Sequence, residues 1–344
     1  MAITVERKVL VDGLQIIKDN IVPTELSDAS NYVILQNGRL HGYSDSVGIT
    51  VPLNVDGVPN CAVEMQLLYD FLRKMNDKEI LIGLHDGNLK LKGKNAVAEI
   101  AIRTDITYPE TLIVLDEDKF IRLPETFSAA LTFTGFACDP EQSAYSRVAI
   151  FNGTAYGLSE RRAASFFMGD EARELFPSVT FVSPECLGFV NKLNPKKYLI
   201  SDGWFHLIDS TFKIYSTRTR ADNRFPFELA EELLADSGEE VFRLPPDFAN
   251  VLERANPFSG KTAKVRKVSL DIRDNRLDLV ATREDGSCYK ERCVGVNTQA
   301  PLNFTVNLRL LSDVIKLAEK YQISSNKLVA TAPFFRAMCP LESE

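Results

Sequence analysis

Three histidines, His41, His85 and His206, and six cysteines at 61, 138, 186, 288, 293 and 339 are the side chains best suited to hold a metal or act as a nucleophile. Their spacing favours neither. The histidines lie in separate strand-like stretches, and no HxxxH, CxxC, P-loop or GxSxG pattern occurs. Cys288 and Cys293 are five residues apart on an expected strand and lack the further ligands a zinc site needs. "TDIT" and "HDGN" read as turns. The sequence therefore predicts no enzyme, no cofactor and no metal. The cations are different. The chain is acidic, with Lys+Arg 40 against Asp+Glu 47 and a net charge of -7. The acidic balance argues against a simple basic nucleic-acid binder but does not exclude a locally basic surface. Arg73, Lys192 and Lys316 recur at one step of a repeated stretch. Taken singly, each reads equally as a solvated helix face.

The repeat that positions them is internal. Aligning 61–75, "CAVEMQLLYDFLRKM", with 304–318, "FTVNLRLLSDVIKLA", puts Val63 on Val306, Leu67 and Leu68 on Leu310 and Leu311, Asp70 on Asp313, and Arg73 on Lys316. The stretch 180–194, "TFVSPECLGFVNKLN", supplies Val182, Leu187, Val190 and Lys192 in the same order. Each reads as a short strand followed by a helix with apolar residues at i, i+3 and i+4. In the last copy the helix is expected to carry Arg309, Lys316 and Lys320 on its outer side. A second element precedes each: "LPETFSAAL" (123–131) matches "LPPDFANVL" (244–252), and 5–20 has the same position and apolar face. Between the helices lie alternating runs broken at "QNGR", "FNGT" and "RDNR", which read as hairpin turns.

The organisation that follows is α+β, with three tandem units at 1–115, 118–236 and 239–344, joined through acidic linkers at 115–119 and 235–240. Each unit carries two helices on one face of antiparallel sheet. A sheet covered on one side leaves edge strands, which tandem units or a symmetric oligomer would satisfy. Hydrophobic residues make up 45% of 344, enough for cores in two or three domains. No apolar run of membrane-spanning length occurs, the N-terminal stretch lacks the pattern of a secretory signal, and the scattered cysteines suit reduced, buried thiols. These features lead us to expect an intracellular protein.

The whole chain resembles the bacterial-type β sliding clamp, the DNA polymerase processivity factor. The resemblance rests on the threefold repeat and on "IRLPETFSAAL", "GLSERRAAS", "TRADNRFPF", "NRLDLVATREDG", "FTVNLRLLSDVI" and the ending "FFRAMCPL". It departs at Asn223 and Glu160, where the family uses glycine, and in the acidic ending "ESE". The departures lead us to expect a divergent, phage-encoded member in a bacterial cytoplasm. The resemblance implies three repeats of the clamp fold, with sheets outside and helices lining a ring closed by a head-to-tail homodimer. It implies double-stranded DNA, bound without sequence preference, a replicative DNA polymerase and a clamp loader as partners.

The site residues implied are of three kinds. Facing DNA are Lys18, Arg73, Lys74, Lys78, Lys192, Lys196, Lys197, Arg254, Arg309, Lys316 and Lys320, with Tyr145 where the family has a tyrosine touching DNA. From the residues alone, Tyr145 reads equally as a strand-edge aromatic. A pocket for partner peptides comprises Leu158, Ser159, Arg161, Arg162, Ala163, Pro226, Leu229, Cys339, Pro340 and Leu341. Such a short apolar cleft with few polar groups suits a Leu or Phe anchor. The dimer edges pair 95–102 with 288–296, through Ala98, Ile100, Tyr289 and Val294. The alternative is a clamp-like scaffold that binds proteins only, as a transcription coactivator or a decoy for host replication factors. Such a scaffold has no reason to repeat the three cations.

Overall fold

The computed structural model describes residues 2–21, 28–114, 117–142, 144–219, 224–235, 241–260, 266–296, 298–324 and 326–342. Asn223, most of the 235–240 joint, residues 115 and 116 of the other joint, and residues 343 and 344 of the ending "ESE" lie outside them. Among the described residues eight α-helices form: α1 Arg7–Asn20, α2 Met65–Lys74, α3 Phe127–Gly135, α4 Glu171–Leu175, α5 Leu187–Leu193, α6 Phe227–Leu234, α7 Phe248–Ala255 and α8 Leu308–Ile315. The chain divides into two compact units, Met1–Leu123 with Glu185–Ala221, and Pro124–Pro184 with Asp222–Glu344. None of the helices is long and apolar enough to cross a membrane.

The first unit is built on one antiparallel sheet of twelve strands. In spatial order they are Ala2–Glu6, Glu79–His85, Asn88–Lys92, Val97–Arg103, Cys61–Glu64, Tyr32–Gln36, Arg39–Tyr43, Val47–Pro52, Ile214–Arg218, Trp204–Ile208, Lys197–Ser201 and Ile121–Arg122. Its hairpins turn at Asn37-Gly38, Asp86-Gly87 and Asp202-Gly203, both central φ values positive in each. That is the turn whose twist matches paired strands, and it accounts for "QNGR" and for "HDGN" as a turn. Helix α1 buries Leu10, Leu14, Ile16 and Ile17, and α2 buries Met65, Leu68, Tyr69 and Leu72. Each fully buried aliphatic side chain of this kind contributes about 1.5–3 kcal/mol. Gly42 lets the sheet pass beneath α1, because a Cβ there would stand 2.3 Å from Ile17 Cγ2.

The second unit holds a second sheet of twelve strands. Its path runs Thr180–Val182, Val148–Phe151, Thr154–Ser159, Arg162–Phe167, Phe335–Glu342, Leu302–Asn307, Lys267–Arg273, Arg276–Thr282 and Cys288–Val294. Lys327–Ala332, Lys320–Ser324 and Val241–Phe242 extend from Phe335–Glu342 as a side branch. Helix α7 buries Phe248, Val251, Leu252 and Ala255, and α8 buries Leu308, Leu311 and Val314. Asn307 caps α8 by accepting from the Arg309 and Leu310 N–H groups at 3.0 and 3.4 Å. Gly157 repeats the device of Gly42: a Cβ there would lie 1.9 Å from the Thr134 carbonyl of α3.

Strand parity separates the two faces of this sheet. Phe133 of α3 contacts Phe166 and Phe335, and Cys339 points at the Leu310 carbonyl of α8, so those residues share one face. Ala163 pairs with Met338 on the other face, where α6 packs. The sequence pattern of two helices on a single face omits α6. Phe225, 8% exposed, and Ala230 and Leu234, both 0% exposed, anchor α6 there.

Candidate functional site

The cations on the first unit's helices form a linked group. The Lys18 ammonium of α1 lies 4.8 Å from the Tyr69 ring centroid of α2. The Tyr69 hydroxyl donates to Gln15, whose amide donates to Asp19. Asp19 in turn holds Lys192 of α5 at 2.9 Å. Arg73 is exposed on α2, at the edge of the face that buries Tyr69 and Leu72. Lys74 and Lys78 line a cleft of about 1200 Å³ at the C-terminal end of α2, with Phe71, Asp77, Lys92 and Lys94. Lys196 and Lys197 are exposed where strand Lys197–Ser201 begins, away from the helical surface itself.

In the second unit Arg309 is exposed on α8, and Lys316 is exposed at its C-cap. Lys320 is not on the helix. The N–H groups of Leu317 and Ala318 both reach the Val314 carbonyl, at 3.0 and 3.1 Å, and close the turn. Tyr321, 2% exposed, then packs on Phe242 and draws Lys320 into a strand. The apolar spacing alone carried the expected helix past its end. Arg254 of α7 is engaged by Glu291 at 2.6 Å and by the Tyr289 hydroxyl at 3.2 Å, so much of its charge is met within the unit. Tyr145 is half-buried against the cluster of Ala149, Leu158 and Phe181.

That cluster is also the core of the expected peptide cleft. Leu158 faces Ala163, Ala163 faces Met338, and Phe225, Ala230 and Leu234 cover them. Pro226, which precedes α6, and Leu229 on it are exposed, while Pro340 and Leu341 are half-buried. Lys327 pairs across from Pro340, and its ammonium donates to the Glu232 and Leu233 carbonyls at 3.2 and 2.8 Å. It thereby satisfies carbonyls that the end of α6 leaves without helical partners. Tyr156 donates to Glu231 at 2.7 Å and meets Phe227 edge-on at 5.3 Å. Burial, together with that carboxylate, pushes the Tyr156 phenol well up from its usual range.

Four residues expected in the cleft behave otherwise. Ser159 is buried, and Arg161 is exposed at the hairpin turn. Cys339, 1% exposed, faces α8 on the opposite side of the sheet, where burial pushes its thiol up to about 12. Arg162 also turns to that side, where its guanidinium donates to the Cys138 carbonyl at 3.4 Å and lies 4.0 Å from Asp313. Met338, Phe225, Phe227 and Tyr156 pack in the same apolar cluster, and Lys327 pairs with Pro340; none of the five was singled out as a site residue from sequence. The alternation in "FFRAMCPL", counted from Phe335, separates Met338 from Cys339.

At the expected dimer edges, Val97–Arg103 pairs with Asn88–Lys92 on one side. On the other side only Ile102 and Arg103 are matched, by Val63 and Ala62. Cys288–Val294 pairs with Arg276–Thr282 and with no second strand among the described residues. Val97 and Val294 are 56% and 75% exposed, Ala98 and Tyr289 are half-buried, and Ile100, 4% exposed, points into the core. Cys288 is exposed and Cys293 buried, as opposite faces of one strand require, and no group of three metal-ligating side chains occurs among the described residues.

Two large antiparallel sheets assembled from repeated helix-and-hairpin units, over the whole chain, define the fold of the bacterial β sliding clamps. Particular matches cover 100% of both chains. They include the DNA polymerase III subunit beta of Pseudomonas aeruginosa, at a TM-score of 0.80 and 15% identity. The sliding clamp of Bartonella birtlesii bound to griselimycin matches at 0.84 and 15%. A putative DNA polymerase III beta subunit from Eubacterium rectale matches at 0.83 and 11%. The sequence matches no protein-family model and no curated protein.

Proposed function

We propose that this chain is a DNA sliding clamp: a non-enzymatic ring that encircles duplex DNA and tethers a replicative polymerase. The observation that carries the reading is the clamp fold along the full length of the chain. Three clamp domains, at 1–115, 118–236 and 239–344, follow from the repeat. Two copies close the ring, with the edge at 97–101 of one chain beside 288–294 of the other.

Arg73, Lys192, Arg309 and Lys316 are the exposed helix cations from which we expect phosphate contacts. Their contacts carry no base information, so binding is independent of sequence and weakens with salt. Topology, rather than affinity, then retains the clamp on DNA. The cleft between α6 and the hairpin at Leu158–Ala163 is the docking place for an apolar anchor from the polymerase or clamp loader. We place this activity in the cytoplasm, and the divergence of the sequence suits a phage-encoded member. The protein-only scaffold draws support from Asp19 and Glu291, which occupy Lys192 and Arg254. The two readings separate on duplex DNA: a clamp is retained on a closed circle, and a scaffold is not.

The docking test uses a short fluorescein-labelled peptide ending in leucine and phenylalanine. Leu229→Ala and Pro340→Ala should each weaken its binding, with anchor truncations of this kind costing about 2 kcal/mol. Unchanged affinity in both folded variants would move the partner site elsewhere.

A further inference from the structure

Arg162 stands on the cleft hairpin yet reaches through to the other face of the sheet. Its strand neighbours Ser159 and Ala163 mark the hairpin that supports the cleft, with Leu158 paired to Ala163. Its guanidinium meets two elements on the far side. One Nη donates to the Cys138 carbonyl just past α3, at 3.4 Å, and the other lies 4.0 Å from an Asp313 oxygen on α8. The side chains of Arg162 and Asp313 are 22% and 36% exposed, so the pair is only partly screened by water.

Asp313 is shared among cations. Besides Arg162 it is attracted to Arg309 and Lys316 on its own helix, and burial raises its pKa despite all three. Arg309 lies four residues before Asp313 and Lys316 three after it, which puts each on the adjoining helix surface. Arg309 and Lys316 are exposed, whereas Arg162 is half-buried. An anion that takes the two exposed cations removes two of the three attractions on Asp313 and repels the carboxylate. Both effects drive Asp313 toward Arg162, whose 4.0 Å separation leaves room to close.

We propose that Asp313 couples the cationic surface of α8 to the partner cleft through Arg162, so that phosphate on Arg309 and Lys316 tightens peptide binding. This inference rests on the clamp reading of both surfaces. Arg162 acts as a positioning residue: a shorter ion pair holds the hairpin that carries Leu158 and Ala163, and so lowers the ordering cost of the cleft. Coupling is reciprocal, so a bound peptide strengthens duplex binding by the same factor. A half-buried pair limits the effect to about threefold.

The test measures affinity for the labelled leucine–phenylalanine peptide by anisotropy, with and without a short blunt DNA duplex, at low salt. The parent should bind peptide about threefold more tightly with duplex. Asp313→Asn should lose the enhancement, giving one peptide affinity with and without duplex. Asp313→Glu should restore part of it, which a purely structural role for the side chain would not require. Thermal unfolding of each variant checks the fold. An equal enhancement in Asp313→Asn, or none in the parent, overturns the coupling while leaving the clamp reading intact. Absence of peptide binding under every condition overturns the partner-cleft reading, and the coupling with it.

Discussion

His41 and His206 are buried bases with all their polar needs met inside the first unit. His41 Nδ1 lies 2.9 Å from the Thr50 hydroxyl, which donates to Tyr108 at 3.2 Å. His206 is held between Ser216 at 2.7 Å and Ser201 at 3.1 Å. Burial lowers both pKa values from 6.5 to about 4. The unfolded chain therefore binds more protons between those values, and stability falls as pH drops from 6.5 toward 4. The loss is roughly 3 kcal/mol per histidine at the acid end. Melting temperature against pH should fall steeply over that window, and folded His41→Asn and His206→Asn variants should give flatter profiles; equal profiles would remove the histidines from the acid response. The cations divide by their partners. The triple change of Arg73, Lys192 and Lys316 to Ala should weaken duplex binding and reduce its salt slope by about 1 per lost phosphate contact. Arg254→Ala and Lys320→Ala should do much less, the first because Glu291 holds that guanidinium through two hydrogen bonds, where Asp19 meets Lys192 through one, and the second because it lies on a strand. Equal effects from all five positions would show that bulk charge, and not the helix surface, governs binding.

Helix positions were legible because apolar periodicity and turn chemistry agree locally. Leu68 and Leu72, Val251 and Leu252, and Leu311 and Val314 are the buried rows the repeat points to. The turns at Asn37-Gly38 and Asn152-Gly153 follow from residues that tolerate positive φ. What was not legible depends on contacts distant in sequence. The end of α8 is set by Tyr321 meeting Phe242, and α6 is held by strands 60 to 110 residues away, through Ala163 and Met338. Cys339 was assigned to the cleft by the family resemblance, and the pleat sends it to α8 instead. This changes the meaning of a C-terminal truncation. Cys339 pairs with Leu328 and Leu341 with Val306, so removing 339–344 opens the core as well as the cleft. The truncated chain should therefore lose cooperative unfolding, whereas Leu229→Ala should retain it; an unaltered melt for the truncation would contradict this register. Gly157→Ala forces a methyl group into the Thr134 carbonyl and should destabilise by at least about 2 kcal/mol. A smaller loss, read from urea unfolding, would mean that α3 can shift away.

At the scale of the whole molecule, Val97–Arg103 is matched on one side only at Ile102 and Arg103, and Cys288–Val294 has no second partner strand among the described residues; these are the edges the proposed second copy would pair. Exposed Val97 and Val294 are the positions at which a charge tests this without entering a core. Val294→Asp should convert a particle of twice 38.5 kDa into one of 38.5 kDa while keeping the fold. Ile100→Asp would unfold the edge instead, because that side chain is buried. The resemblance in sequence reached the fold through the order of weak motifs across the chain, and no single motif carries it; the 11–15% identities to solved clamps reflect the same dispersal. The most direct measurement of the central claim is retention of the protein on a nicked circular duplex, followed by gel filtration before and after one cut that makes the circle linear. A ring threaded by DNA remains with the circle in moderate salt and leaves after the cut, with no change in sequence or charge. Equal retention on the circle and on the linear product, or none on either, would contradict a clamp that holds DNA by encircling it.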